Sequence, residues 1–104
     1  MLYHKDVFMP RVKLPTGTFK LEKTRHAEER GLKLPTGVNF STVDIFEIEI
    51  ENGKLTKVCY RTSYDKWDDI IVVVSIPSGR IRTAWKNSKT DSHRTLDLSR
   101  YATR

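Results

Sequence analysis

Between Asp44 and Lys86 apolar residues alternate with polar ones, and a repeat of two residues is typical of β-strands with two different faces. The strongest hairpin signal is Asn52-Gly53, because both residues readily take the left-handed backbone conformation that a two-residue turn needs. Further turns are predicted at YDKWDD and at Pro77-Ser78-Gly79. The four predicted strands cover residues 45–50, 55–64, 69–76 and 80–86.

The alternation also predicts which side chains share a face of the sheet. The run IIVVVSI at 70–76 is apolar on both sides, which is typical of a central strand. Phe46 is expected on the same side as Ile48. In the last strand, the pattern places Ile81, Thr83 and Trp85 on one face and Arg80, Arg82 and Lys86 on the other.

The N-terminal region has a different character. Residues 21–30 are rich in good helix formers, and Gly31 is a typical residue after the end of a helix. The pentapeptide KLPTG stands on either side of this segment, at 13–17 and 33–37, and each copy predicts a turn. The predicted fold class is therefore α+β, with an N-terminal helical part packed on a four-stranded antiparallel meander sheet.

A chain of 104 residues is expected to form a single domain. Its predicted parts are an N-terminal arm (1–19), the helical part (20–43), the antiparallel sheet (44–87) and a basic tail (88–104).

The charge balance favours an anionic partner. Lys and Arg number 19 against 13 Asp and Glu, so the net charge is +6, which suits nucleic acid. The alternative is a basic protein that is merely soluble. No apolar run is long enough for a signal peptide or a membrane helix, so the sequence predicts a protein of the cytosol without a membrane partner. The spacing of the three histidines matches no metal motif, and no glycine-rich phosphate loop is present, so neither a metal nor a cofactor is predicted.

The remaining polar residues suit metal-free cleavage of a phosphodiester bond. That reaction needs a base for the 2′-hydroxyl, cations on the phosphate and an acid for the leaving oxygen. His26 and His93 are the candidates for proton transfer, because histidine titrates near neutral pH. The predicted contacts to the phosphate and to RNA are Arg30, Arg61, Arg82, Lys86, Asn87 and Arg94, together with the Thr83 hydroxyl and the Trp85 ring as a stacking surface.

A helix with RHAEERG, a meander and a last strand ending in RTAW resemble the RelE-like ribonuclease superfamily, the barnase/EndoU/colicin/RelE group of metal-independent RNases. The resemblance covers residues 20–101, and WKNSKTDSHRTLDLSRY is similar to the C-terminal ends of toxin-type RNase domains. It implies that His26 and Thr83 belong to an active site and that Arg61 and Lys86 bind the scissile phosphate. It also implies a 2′,3′-cyclic phosphate product and a cognate inhibitor, immunity or antitoxin protein. The KLPTG repeat lies outside this pattern.

Three hypotheses follow from the sequence. The first is a toxin-type, metal-independent endoribonuclease that acts on RNA. The second is a non-catalytic protein that binds nucleic acid, or a phage protein that binds a host factor, through the same basic face. The third is a structural or antitoxin-like partner that pairs with another chain through the edge of its sheet.

Overall fold

The computed structural model describes residues 2–4, 13–29 and 31–90, and this part of the chain is mostly β-structure. Two sheets and one short helix are formed by these residues. The elements in chain order are β1 (Leu2–His4), β2 (Thr18–Lys20), β3 (Glu22–Lys23), α1 (Arg25–Glu28), β4 (Gly37–Asn39), β5 (Asp44–Glu51), β6 (Lys54–Ser63), β7 (Asp68–Ser75) and β8 (Arg80–Ser88).

The larger sheet has six strands in the order β1-β5-β6-β7-β8-β3. Neighbouring strands are antiparallel except β3 and β8, which run parallel. Strands β5 to β8 form a meander, and their bounds overlap the four regions where the alternation predicts strands. The turn between β5 and β6 has positive φ at Asn52 (52°) and at Gly53 (75°), the conformation on which the hairpin signal depends.

The predicted fold class is wrong, because within residues 2–4, 13–29 and 31–90 no N-terminal helical part packs on a four-stranded antiparallel sheet. The only helix in the described part of residues 20–43 is α1, which has four residues, and the same region contributes β3 and β4. The main sheet also includes β1 and β3, so it is larger than predicted and mixed in direction. The described chain is therefore a β-structure with one helical turn.

Pairing with the sheet outweighs the helix propensity of residues 21–30. Strand β3 pairs with the beginning of β8, with Lys23 opposite Ile81. Leu21 is buried, and its N–H donates to the carbonyl of Thr36 at 2.9 Å. Helix propensities differ by less than about 1 kcal/mol per ordinary residue, and a helix with few apolar residues gains little from packing. The backbone therefore takes its hydrogen bonds from β8 and the neighbouring loop instead.

Thr24 fixes the start of α1 and attaches the helix to the sheet. Its hydroxyl accepts a hydrogen bond from the N–H of Ala27 at 3.3 Å and donates to the carbonyl of Ile81 at 2.7 Å. At the other end, the Gly31 N–H donates to the carbonyl of Glu28, and Gly31 has φ 69°. One side chain thus caps the helix and joins it to β8.

The KLPTG repeat leads into the smaller sheet. Each copy is followed by, or ends in, one of the strands β2 and β4, which pair antiparallel with Phe19 opposite Val38. The rings of Phe19 and Phe40 meet edge to face, with their centroids 5.0 Å apart. The pairing of β2 with β4 therefore joins the two ends of the segment that contains β3 and α1.

Residues 13–43 cover one side of the main sheet, the first face, and form the main core with it. The opposite side, the second face, carries a smaller cluster of Phe46, Cys59 and Ile71. Val73 and Trp85 pack against this smaller cluster. The largest fully buried side chains of the main core are Tyr60, Ile48, Ile81, Val58, Val72 and Val74.

Irregularities in the strand pairing decide which side chains reach each face. In β8, a shift of register leaves Arg82 as an extra residue. Ile81, before it, packs in the main core, whereas Thr83 and Trp85, after it, lie on the second face. The prediction that these three share a face is therefore wrong, because an extra residue reverses the alternation beyond it. Strand β5 has a similar irregularity at Phe46, which packs in the smaller cluster.

Candidate nucleic-acid interface

Thr83 and Trp85 lie within the packed second face. Thr83 is 8% exposed, and its hydroxyl is buried without a hydrogen-bond partner in the described structure. The indole N–H of Trp85 is in the same state, and its ring packs against the cluster that contains Cys59 and Ile71. Stacking on a base needs an open ring face. In this position, the Trp85 ring contributes to packing.

Arg61 belongs to a hydrogen-bonded network at one end of β6, β7 and β8. Its Nε donates to the Asp69 carboxylate at 2.8 Å and its Nη2 to the carbonyl of Ser88 at 3.0 Å. Lys89 Nζ donates to the same carboxylate at 3.0 Å and to Ser63 Oγ at 2.7 Å. Burial alone would raise the pKa of Asp69, but the hydrogen bonds from Arg61 and Lys89 hold it below its usual value. Asp69 therefore balances part of the positive charge at this end of the sheet.

Lys86 lies near the same end but on the first face. Its Nζ is 3.8 Å from the nearer carboxylate oxygen of Asp68 and 5.5 Å from the centroid of the Tyr64 ring. The side chain is 44% exposed, so solvent screens the ion pair with Asp68. Asn87 lies on the second face with Arg61. Lys86 and Arg61, both predicted to bind the scissile phosphate, are thus on opposite faces of the sheet.

His26 is exposed on α1, which packs beside Ile81 at the beginning of β8. Strand β8 rises about 15 Å from Ile81 to Lys86. His26, which lies near Ile81, and Lys86 are therefore at different ends of β8. The described members of the predicted active site therefore do not converge on one point. Three further predicted site residues lie outside the described residues: Arg30, His93 and Arg94.

Six exposed basic residues belong to the segments that meet at β3, α1 and the beginning of β8. The Glu22 N–H donates to the carbonyl of Gly79 at 2.9 Å, and the Thr24 hydroxyl holds α1 against Ile81. The backbone of Lys20 lies against Gly79, just before β8 begins. We call this cluster the basic junction; its members are Lys20, Lys23, Arg25, His26, Arg80 and Arg82.

The basic junction has a surplus of positive charge that the rest of the described structure does not neutralise. Its five Lys and Arg residues share this region with three exposed carboxylates, so two positive charges remain in excess. None of the five forms an ion pair within residues 13–29 and 31–90. The exposed carboxylates are Glu22, Glu28 and Glu29. Of the predicted site residues, His26 and Arg82 lie on two elements that meet here, α1 and β8.

The sequence predicts a turn at YDKWDD and gives Trp67 no functional role. Its side chain is 70% exposed, and it is the one large hydrophobic residue exposed in the described part of the chain. The ammonium group of Lys66 lies 5.7 Å from the centroid of its ring. The signal available in the sequence was a tryptophan inside a turn of charged residues, since such turns lie at the surface.

No group of three or more His, Cys, Asp or Glu side chains in the described residues is arranged to hold a metal ion. Within the same residues, no helix has the length and apolar character needed to cross a membrane.

Comparison with protein-family models, curated proteins and solved structures gives no match to this chain. The functional argument therefore depends on the geometry and charge of the described residues. The resemblance to the RelE-like ribonuclease superfamily stays a prediction.

Proposed function

We propose that this protein binds nucleic acid without cleaving it, and that the basic junction is the surface that contacts the phosphate backbone. The observation that carries the proposal is the gathering of exposed Lys and Arg side chains around β3, α1 and the beginning of β8, without ion pairs in the described structure. Cations of this kind can exchange counterions for phosphates, which is the main source of affinity that does not depend on sequence. The net charge of +6 adds long-range attraction to a polyanion.

The arrangement of the predicted catalytic residues favours binding over cleavage. A base, a phosphate-binding cation and an acid must all reach one scissile phosphate. His26 lies at the opposite end of β8 from Lys86, and Arg61 is engaged by Asp69 on the other face of the sheet. Thr83 is buried. Among the described residues, the set supports a surface for the backbone of RNA or DNA better than an active site.

The proposal is tested by measuring the affinity of the full chain for fluorescein-labelled single-stranded RNA between about 50 mM and about 200 mM salt. Each phosphate contact to a single strand contributes about 0.7 to the slope of log K against log salt. The double variant Arg25→Ala/Arg82→Ala removes two cations of the junction, so the slope should fall by about 1.4.

The matched control is Lys33→Ala/Lys54→Ala, which also lowers the net charge from +6 to +4. Both lysines are exposed and lie away from the junction. The Lys33 N–H donates to the Tyr64 hydroxyl, and Lys54 is opposite Glu51 in the hairpin of β5 and β6. The control should keep the parent slope. Equal losses in the two double variants would refute the junction as the binding surface. Fragments of RNA produced by the parent in EDTA would favour the ribonuclease hypothesis instead.

A further inference from the structure

The turn between β6 and β7 presents an aromatic ring to solvent on a well-ordered backbone. Asp65 organises this turn: its carboxylate accepts hydrogen bonds from the N–H of Trp67 at 2.9 Å and of Asp68 at 2.7 Å. These two bonds lower the pKa of Asp65 below its usual value, because they stabilise the ionised carboxylate. The backbone of Trp67 is therefore fixed although its side chain is 70% exposed.

The chain that follows β8 holds the same turn from the other side. The Lys89 N–H donates to the Trp67 carbonyl at 3.0 Å, and the Lys89 ammonium is anchored on Ser63 and Asp69. Both polar groups of the Trp67 backbone are thus bonded. A backbone fixed in this way does not have to be ordered when a planar ligand stacks on the ring.

One ammonium group lies over the ring. The Lys66 ammonium lies 5.7 Å from the ring centroid and forms no ion pair within the described residues. Lys86 lies at the same end of β8, where its ammonium group is 5.5 Å from the centroid of the Tyr64 ring and 3.8 Å from the Asp68 carboxylate, and its side chain is 44% exposed. An exposed indole with one ammonium group near its ring matches a nucleotide, because the base offers a flat π-surface and its phosphate offers a negative charge.

We propose that Trp67 is a stacking site for an unpaired base of single-stranded nucleic acid, with Lys66 and Lys86 contacting the adjoining phosphates. This inference rests on the proposed function and makes it more specific. Bases within a duplex are stacked on each other and do not offer a free face, so the site selects single strands. The basic junction, at the other end of β8, would contribute phosphate contacts to single and double strands alike.

The two tryptophans of the chain allow a direct test, because Trp85 packs on the second face whereas Trp67 is exposed. In a Trp85→Phe protein, the fluorescence comes from Trp67 and should be quenched when short oligouridylate binds. In the matched Trp67→Phe protein, the remaining fluorescence comes from Trp85 and should not change. Quenching of neither protein at saturating RNA would overturn the stacking site.

Affinity gives a second and independent measurement on the full chain. Trp67→Ala should weaken binding of the single strand by about 5-fold to 150-fold, the range expected for the loss of one stacked base. Trp67→Phe should lose less, because phenylalanine keeps a ring, and binding of a duplex of the same length should change little in either variant.

The outcomes separate this inference from the function on which it rests. If Trp67→Ala binds the single strand as tightly as the parent while Arg25→Ala/Arg82→Ala binds weakly, the stacking site is refuted and the nucleic-acid function stands. If Trp67→Ala weakens single strands and duplexes equally, selection of single strands is refuted. If the parent binds no nucleic acid even at low salt, both proposals fail together.

Discussion

Replacing Gly79 by alanine tests how the basic junction is built. Gly79 has φ 75° and is buried, and a Cβ placed on it would lie 2.5 Å from the carbonyl oxygen of Lys20. The same glycine carbonyl accepts the hydrogen bond from the Glu22 N–H that begins the pairing of β3 with β8. A methyl group at this position would therefore push apart the two backbone segments that bring the junction together.

Gly53 provides the comparison for the loss in free energy of unfolding, because it also has φ 75° but has open space where a Cβ would go. The left-handed conformation costs an alanine about 1–2 kcal/mol, and about 0.4–1 kcal/mol of this is offset by the smaller entropy of its unfolded state. Gly53→Ala should therefore lower the free energy of unfolding by about 1 kcal/mol. Gly79→Ala has the same cost and adds about 1–3 kcal/mol for the steric overlap, so we expect a total of about 2–4 kcal/mol.

The assay is urea unfolding of the two variants and the parent, with thermal unfolding as a second measurement. For a domain of this size, each kcal/mol lowers Tm by about 4–8 °C, so the two variants should be clearly resolved. Gly79→Ala should also weaken RNA binding at temperatures where it is still folded, because its β3 and α1 are displaced. Equal destabilisation by Gly79→Ala and Gly53→Ala would refute the close approach of the Lys20 backbone to this turn.

Two further changes test the polar groups of the sheet. Because the pKa of Asp69 is lowered in the folded state, its contribution to stability is present above the unfolded pKa of about 3.9 and is lost as the pH falls through the folded value. Asp69→Asn should therefore lower the free energy of unfolding by about 1–2 kcal/mol at pH 7. Urea unfolding at several pH values should show that this variant loses less stability on acidification than the parent does. Thr83→Val removes a buried hydroxyl that has no hydrogen-bond partner in the described structure, so the free energy of unfolding should stay the same or rise by up to about 1 kcal/mol. The RNA affinity of this variant, measured by fluorescence anisotropy, should equal that of the parent. A large loss of RNA binding or of RNA cleavage would instead support the predicted role of Thr83 at the phosphate.

The strands of the meander could be predicted because their signals are local. An alternation of period two and a turn such as Asn52-Gly53 are properties of a few neighbouring residues, and β5 to β8 follow them. The faces of β8 could not be predicted in the same way. The extra residue at Arg82 is created by the pairing of β8 with β7, and a shift of one position moves every later side chain to the other side of the sheet.

Some features of the candidate site can likewise be predicted from the sequence, and others depend on contacts between distant segments. The sequence alone gives the surplus of Lys and Arg, and it shows that His26 and Arg82 are basic residues. That the elements carrying His26 and Arg82 meet depends on the parallel pairing of β3 with β8 and on the bond from Thr24 to Ile81. The exposure of Trp67 likewise depends on the packed surroundings, since the sequence alone favoured Trp85 as the stacking residue.

The sequence by itself determined the positions of the meander strands, the Asn52-Gly53 hairpin and the net positive charge, because each depends on residue type and short-range spacing. Contacts of the tertiary structure explain why residues 21–29 contribute a strand and one helical turn, and why Trp67 is the exposed tryptophan. The physical reason is that hydrogen bonds and apolar contacts between distant segments exceed the small preferences of single residues for helix or strand.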